Sequence, residues 1–143
     1  MGRQSMLRRL MALALVAGCA GGGTRSEPGY APNTGRHEEG LASWYGAAFH
    51  GRTTASGIPF DRYAMVAAHP TLPFGTRVRV VRLSTGSSVV VRIVDRGPAA
   101  GPRSRGVVID LSERAAERLG YIREGRTRVR LEVLETDQGD VAP

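Results

Sequence analysis

Hydrophobic and polar residues alternate along several short stretches of the chain, which is the pattern of half-buried β-strands. The clearest stretch is residues 76–83, TRVRVVRL, where Val78 and Val80 alternate with Arg77 and Arg79. In the last stretch Val129, Leu131 and Val133 are predicted to point inward. Six strands are predicted, within residues 40–46, 64–69, 76–83, 87–94, 106–110 and 126–135.

The segments between these stretches predict one hairpin and one helix. Ser-Thr-Gly at 84–86 separates two alternating stretches and is typical of a hairpin turn. In SERAAERLG at 112–120, Ser112 suits the N-cap of a helix and Gly120 suits its end. Six short strands and one short helix within residues 39–136 predict a mainly β fold, a compact β-barrel.

The N-terminus differs from this strand-rich part. Arg3, Arg8 and Arg9 precede an apolar run in residues 1–18, which predicts a signal peptide too short to span a bilayer. The run ends in Val-Ala-Gly-Cys, which resembles the lipobox of bacterial lipoproteins. We therefore predict lipidation of Cys19 after cleavage of the signal; the alternative is an ordinary signal peptide with an incidental cysteine.

The remaining flanking segments are predicted to be unfolded. Residues 19–38 are rich in Gly, Pro, Ser and Thr, so the lipidated cysteine is expected to continue into a flexible tether. Residues 137–143 are expected to form a loose C-terminal tail. Lipid on Cys19 would attach the domain to a membrane. Because Ala20 rather than Asp follows the cysteine, we expect the periplasmic face of the outer membrane.

Net charge and the distribution of arginines limit the classes of partner that the protein can bind. The formal net charge is +7, and three arginines lie in the predicted signal, so cleavage lowers the charge by three, to +4. The other arginines are scattered among acidic residues, which is not the pattern of a nucleic-acid interface. Export from the cytoplasm also separates the protein from nucleic acid, so no nucleic-acid partner is expected. The chain has 1 cysteine, so no internal disulfide can form.

A few polar residues follow predicted strands and are candidates for a site. Asp95 follows an apolar strand and precedes Arg-Gly-Pro, so it is either a turn residue or a carboxylate at the mouth of a cleft. Asp110 lies between a strand and a helix, and His69 ends another strand; either could be structural. His37, His50 and His69 are far apart in sequence, so no metal site is expected.

Five segments within residues 40–134 together resemble the double-psi β-barrel domain of the rare lipoprotein A family of septal lytic transglycosylases. They are GLASWYGAAFHGRTTASG, FD, AAHPTLPFGTRVRV, VVVRIVDRGP and VIDLSERAAERLG, in that order. The resemblance implies a six-stranded double-psi β-barrel over residues 39–136. It also implies an endolytic lytic transglycosylase of the bacterial cell envelope, which acts in cell wall remodelling and division.

The implied substrate is peptidoglycan whose glycan strands have been stripped of peptides. Cleavage between N-acetylmuramic acid and N-acetylglucosamine leaves 1,6-anhydro ends. The attacking group is the muramic acid's own 6-hydroxyl, so no water has to be activated and one carboxyl group could suffice. No cofactor is expected. Cell-division or wall-synthesis proteins are possible partners, and the protein is expected to be a monomer.

The resemblance also assigns roles to the candidate residues. The matching Asp95 is assigned to catalysis, and His69 is expected to orient or polarise the site. In related barrels an aspartate placed like Asp110 is the catalytic acid. We therefore predict Asp95, His69 and Asp110 as catalytic residues, with Asp95 as the leading candidate for the acid.

Aromatic and basic residues near these positions are predicted to bind the glycan. Trp44, Tyr45 and Phe49 could cover the apolar face of a sugar ring. Strand alternation places Trp44 and Tyr45 on opposite faces, so at least one should belong to the core, and Tyr45 is the better candidate for the cleft. Arg96 could contact the lactyl carboxylate of muramic acid. Arg92 is more simply explained as a solvated residue at a strand edge.

Position 58 departs from the family pattern. Relatives usually have glutamate after the TASG segment, where this chain has Ile58 followed by Pro59. We place Ile58 beside the cleft, among the substrate-binding residues. An apolar residue there supports an alternative hypothesis, a lipid-anchored lipoprotein that binds glycan without cleaving it.

Overall fold

Six β-strands close into a barrel in the computed structural model, which describes residues 35–135. The strands are β1 (His37–Trp44), β2 (Val66–Ala68), β3 (Arg77–Arg82), β4 (Ser88–Asp95), β5 (Val107–Leu111) and β6 (Thr127–Glu135). Their order around the barrel is β1-β5-β2-β4-β3-β6. The predicted mainly β fold with six strands is confirmed. The predictions for Cys19, most of the tether and the tail lie outside the described residues.

The alternating stretches form the wall of the barrel as predicted. β3 and β4 pair as an antiparallel hairpin, with Val81 opposite Ser88 next to the turn. Val78 and Val80 are fully buried, whereas Arg77 is exposed. The largest fully buried side chains are Tyr121, Ile93, Ile109, Leu111, Leu131 and Leu134. Burial of this apolar surface is the main favourable term that holds the barrel closed.

Two parallel strand pairs bring distant parts of the chain to one edge of the barrel. β1 pairs with β5 and β2 pairs with β4 in parallel, and each pair contains a register shift. Ala68 of β2 lies opposite Asp95 of β4 on one side and opposite Asp110 of β5 on the other. Adjacent strands are about 4.8 Å apart, so the backbones of the two aspartates are about 10 Å apart.

The helix after β5 is capped as the sequence predicts. α2 (Glu113–Leu119) follows α1 (Ala100–Ser104) along the chain. The Ser112 hydroxyl accepts a hydrogen bond from the Ala115 N–H and donates one to the Ala64 carbonyl. Gly120 ends the helix with φ of 76°, a conformation that favours glycine. This cap fixes the end of β5, which carries Asp110.

Three details of the prediction are wrong. The structure has a second α-helix, α1, and a 3-10 helix, Ala47–Phe49, whereas the sequence predicted a single short helix. α1 contains Gly and Pro, which disfavour helices, so its sequence did not indicate one. β1 begins at His37, two residues before the predicted barrel boundary at residue 39. His37 and Glu38 are exposed and extend β1 by pairing with β6, a contact that hydrophobic periodicity does not reveal.

Candidate active site

A cleft of about 390 Å³ lies at the edge of the barrel where β1, β4 and β5 end. Six of the predicted site residues line it, although they come from three separate parts of the sequence. The lining consists of Trp44, Tyr45, Phe49, Asp95, Arg96, Gly97, Ala99, Pro102 and Asp110. The cleft therefore combines two carboxylates, one guanidinium and three aromatic rings, which is a suitable set for a sugar ligand.

Asp95 accepts three hydrogen bonds at the end of β4. Its Oδ1 accepts from the backbone N–H of Ala55 at 2.9 Å and from that of Arg96 at 2.8 Å. Its Oδ2 accepts from the Tyr45 hydroxyl at 3.2 Å. Every one of these contacts uses the carboxyl group as an acceptor, which suits an ionised carboxylate. The Arg96 contact is local, from the next residue along the chain, and Asp95 also lines the cleft, so a local backbone contact and a position at the cleft coexist.

Asp110 has a different environment at the end of β5. Burial raises the pKa of the Asp110 carboxyl above its ordinary value, and the negative charge of Asp95 adds to the increase. The Ser43 hydroxyl, which donates to Oδ1 of Asp110, and the positive charge of Arg126 lower that pKa but do not cancel the effect. Asp110 therefore keeps its proton to higher pH than an ordinary aspartate.

Tyr45 connects the aromatic side of the cleft to Asp95. Its ring packs against Phe49 and Phe60, with centroids 5.2 Å and 4.8 Å away. Burial, followed by the charges of Asp95 and Asp110, raises the pKa of Tyr45 far above its ordinary value. The hydroxyl therefore stays protonated and serves as a fixed donor to Asp95.

Trp44 and Phe49 occupy different parts of the same cleft. Trp44 is half-buried, packs against the hydrophobic core and also lines the cleft. Phe49 is 43% exposed, and the Arg52 guanidinium lies 5.4 Å from its ring centroid. Phe49 is thus the ring most available to a ligand.

Gly97 lines the cleft beside Asp110 and Tyr45. Its φ is 149°, which favours glycine, and a Cβ there would lie 3.2 Å from Oδ2 of Asp110. The same Cβ would be 3.6 Å from the Tyr45 hydroxyl. A side chain at this position would therefore fill the space between the groups that face the cleft.

Arg96 is held at the rim of the cleft. Its Nη1 donates to the Leu72 carbonyl at 2.8 Å and to the His69 carbonyl at 3.3 Å. Its guanidinium lies 4.0 Å from the ring centroid of Phe74. Two carbonyls and a ring thus restrain a side chain that is otherwise flexible.

His69 lies behind the cleft rather than on it. The ring is 4% exposed, its Nδ1 accepts from the N–H groups of Thr71 and Leu72, and its Nε2 lies 3.1 Å from Oε2 of Glu38. Both ring nitrogens are therefore occupied by the protein itself. The catalytic role of His69 stays a prediction, and the geometry favours an indirect one.

Ile58 also does not line the cleft among the described residues. It is 47% exposed, and its carbonyl accepts hydrogen bonds from the N–H and the hydroxyl of Thr54. These bonds tighten the loop that presents the Ala55 N–H to Asp95. The place of Ile58 in substrate binding stays a prediction.

Sequence reasoning missed Ser43, Ala55 and Gly97 as members of the site. Strand alternation does place Ser43 on the face of Tyr45, a signal that could have identified it. Ala55 acts through its backbone and offers no such signal.

Within residues 35–135, no group of His, Cys, Asp or Glu side chains is arranged to hold a metal ion. In the same range, no helix is long and apolar enough to cross a membrane.

The closed barrel with two parallel strand pairs defines the class of protein as a double-psi β-barrel protein, here with a pair of carboxylates at one edge. The chain belongs to the lytic transglycolase family, whose profile matches residues 37–131. The resemblance to rare lipoprotein A predicted from the sequence is thereby confirmed.

Curated relatives agree with this assignment. The chain is 53% identical over 100 residues to the "Probable endolytic peptidoglycan transglycosylase RlpA" of Synechocystis. The aligned region covers 70% of this chain and 30% of the relative. It is 50% identical over 99 residues to the Pseudomonas aeruginosa "Endolytic peptidoglycan transglycosylase RlpA", covering 69% of this chain and 28% of that protein. The chain therefore spans less than a third of the length of these relatives.

Solved structures share the fold. A Streptomyces papain inhibitor has a TM-score of 0.55 at 23% identity, covering 71% of this chain and 96% of the inhibitor. The apo expansin of Clavibacter michiganensis has a TM-score of 0.54 at 22% identity, covering 70% of this chain and 51% of the expansin. At this identity the likeness establishes the fold alone, because one fold hosts many functions.

Proposed function

We propose that this protein is an endolytic peptidoglycan lytic transglycosylase that cleaves the bond between N-acetylmuramic acid and N-acetylglucosamine in peptide-stripped glycan strands. The observation that carries the proposal is the pair Asp95 and Asp110, which face one cleft in contrasting environments. Two carboxyl groups whose surroundings differ in this way can divide the acid and base roles. Family membership and the names of the relatives support the same activity.

The first step needs a proton donor. Asp110, whose raised pKa favours the protonated form, donates its proton to the glycosidic oxygen as the bond from that oxygen to C1 of muramic acid breaks. This assignment differs from the sequence-based choice of Asp95 as the acid. It rests on the burial of Asp110 and on the three donors that surround Asp95.

The second step closes the anhydro ring. The 6-hydroxyl of the same muramic acid attacks C1 and forms the new C1–O6 bond, while Asp95 accepts the hydroxyl proton. No water is consumed, and the reaction gains from having its nucleophile already in the substrate. Tyr45 and Ala55 hold the Asp95 carboxylate in place through their hydrogen bonds.

The test is product analysis with the full chain. Incubation with denuded glycan strands should release fragments with 1,6-anhydro ends, which mass spectrometry separates from hydrolysed fragments by the mass of one water. Only hydrolysed fragments would replace the transglycosylase proposal with a glycosidase. No fragments at all, together with co-sedimentation of the protein with the strands, would favour the alternative binding lipoprotein.

That alternative is supported by one observation. Ile58 follows the TASG segment, where the family resemblance implies glutamate. It lies on the loop that contacts Asp95 through Ala55, so the loop carries an apolar residue there. A protein with this loop could bind glycan through Phe49 and Tyr45 without cleaving it.

Ser43→Ala should shift the alkaline limb of the pH–rate profile to higher pH. The Ser43 hydroxyl stabilises the charged form of Asp110 and so lowers its pKa; without it the pKa rises further and the acid stays protonated to higher pH. Measuring kcat/KM against pH checks the shift. Ser88→Ala, an exposed serine on β4, is the matched control and should leave the profile unchanged. A shift to lower pH would contradict the acid role of Asp110.

The attachment to the cell envelope is a further part of the proposal. We infer that lipid on Cys19 holds the protein at the periplasmic face of the outer membrane, close to peptidoglycan. The motif that ends at Cys19 supports this inference, and the wall-directed names of the relatives support the envelope location.

Cys19→Ser should produce an unlipidated protein that is processed poorly and no longer fractionates as a mature outer-membrane lipoprotein. The thiol is the only group to which the lipid can be attached in the motif. Metabolic labelling with a fatty acid, followed by membrane fractionation, measures both effects. A normally processed, membrane-bound Cys19→Ser protein would contradict the lipobox interpretation.

A further inference from the structure

The Arg96 guanidinium is held in place by the protein but still has unused hydrogen-bond donors. Its Nη1 is bound by the carbonyls of Leu72 and His69, and its guanidinium lies against the Phe74 ring. Within residues 35–135 its Nε and Nη2 have no hydrogen-bond partner. Because Arg96 lines the cleft of Asp95 and Asp110, these free donors are available to a ligand bound there.

The carbonyls that hold Arg96 belong to one turn, residues 69–72, and His69 organises that turn. Its Nδ1 accepts from the backbone N–H groups of Thr71 and Leu72 at 3.2 Å and 3.0 Å. A nitrogen that accepts two N–H groups carries no proton, so the proton is on Nε2, which donates to Glu38. A continuous set of contacts thus leads from Glu38 through His69 to Arg96.

We propose that Arg96 is the specificity-determining residue for a carboxylate on the sugar, and that His69 and Glu38 are positioning residues for Arg96. The inference rests on the proposed function, in which the substrate carries the lactyl carboxylate of muramic acid. A planar guanidinium with two free donors can bind a carboxylate through two parallel hydrogen bonds. A neutral glycan offers Arg96 no such partner, so the cleft discriminates between acidic and neutral glycans.

Binding, independent of turnover, tests the specificity. Soluble peptide-free glycan oligosaccharides are compared with the same oligosaccharides after reduction of their carboxylates to alcohols, by calorimetry with the full chain. The natural protein should bind the acidic form about tenfold to a hundredfold more tightly, the range for a hydrogen bond between charged groups. Arg96→Gln should remove this preference, and Arg96→Lys should retain only part of it because lysine cannot form the paired bonds.

Arg92→Gln is the matched control for charge. Arg92 is an exposed arginine on the same strand, β4, and does not line the cleft among the described residues. The substitution removes the same charge and should keep the preference. An Arg96→Gln protein that still prefers the acidic oligosaccharide, or an Arg92→Gln protein that loses the preference, would overturn the assignment to Arg96.

The positioning role is tested with pairs of variants. Glu38→Ala removes the acceptor of the His69 Nε2 proton, whereas Glu38→Gln keeps an oxygen for it. His69→Leu removes both ring contacts, whereas His69→Asn keeps an acceptor for the turn. Glu38→Ala should raise KM for acidic strands about tenfold with kcat little changed, and Glu38→Gln should restore most of the affinity. His69→Leu should lose the binding preference for the acidic oligosaccharide, and His69→Asn should restore most of it.

Each outcome separates the two proposals. If the protein releases no anhydro products but shows the Arg96-dependent preference, the transglycosylase proposal fails and this inference stands. If the protein releases anhydro products from acidic and reduced strands with equal kcat/KM, the transglycosylase proposal stands and the inference about Arg96 fails. A Glu38→Ala protein with unchanged folding, preference and KM would overturn the positioning role, even if His69→Leu fails to fold.

Discussion

Asp110→Asn is expected to reduce the release of anhydro products by about 10²-fold to 10⁴-fold, the usual contribution of a general acid. Asparagine keeps the shape of the side chain but has no titratable proton to give to the leaving oxygen. The Ser43 hydroxyl can still donate to the amide oxygen, so the end of β5 should keep its structure. Initial rates on denuded strands, with products identified by mass spectrometry, measure the loss.

The same substitution should stabilise the protein at neutral pH. Because burial raises the pKa of Asp110, the folded state holds this proton more tightly than the unfolded chain. The contribution of Asp110 to the stability of the natural protein therefore falls as pH rises from the ordinary aspartate pKa, about 3.9, through the raised value. The amide of the Asp110→Asn protein carries no buried charge, so the melting temperature of this variant should exceed that of the natural protein at pH 7, with the difference disappearing at low pH.

Glu117→Gln is the control for both effects. Glu117 is an exposed carboxylate on α2, paired with Arg114 at 3.7 Å, and it does not line the cleft among the described residues. Its conversion to an amide should leave activity unchanged and should not stabilise the protein at neutral pH. An Asp110→Asn protein with full activity would return the acid role to Asp95.

Asp95→Asn is expected to reduce anhydro-product formation strongly while the barrel stays folded. The amide can no longer accept the proton of the 6-hydroxyl, and the loss should again be about 10²-fold to 10⁴-fold. The amide oxygen can keep the N–H bonds from Ala55 and Arg96, and the Tyr45 hydroxyl can rotate to accept from the amide nitrogen. Circular dichroism and thermal melting verify folding beside the activity measurement.

The two variants can be distinguished by their pH profiles. Asp110→Asn should remove the alkaline limb from any residual activity, because that limb reports the deprotonation of the acid. Asp95→Asn should retain the alkaline limb, since Asp110 is still present. The opposite pattern would return the acid role to Asp95, the leading candidate for the acid in the sequence analysis.

Much of the fold could be predicted because each strand carries its own signal. Alternation in β3 and β6 identifies the inward residues regardless of neighbours, and the caps at Ser112 and Gly120 are local chemistry. α1 and the first residues of β1 could not be predicted, because Gly-Pro content and exposed polar residues oppose or hide those elements. Their formation depends on contacts with the rest of the barrel.

The features of the candidate site also divide into those that the sequence predicted and those that only the tertiary structure decided. The sequence by itself determined the barrel strands and the candidate residues Tyr45, Asp95 and Asp110, because alternation and strand ends are local features, and the family resemblance pointed to their use. Only the tertiary structure decided which carboxylate is buried, since burial depends on β1 and β5 lying side by side. It also placed His69 behind the cleft, because a histidine at a strand end can face either way until the turn that follows it closes around the ring.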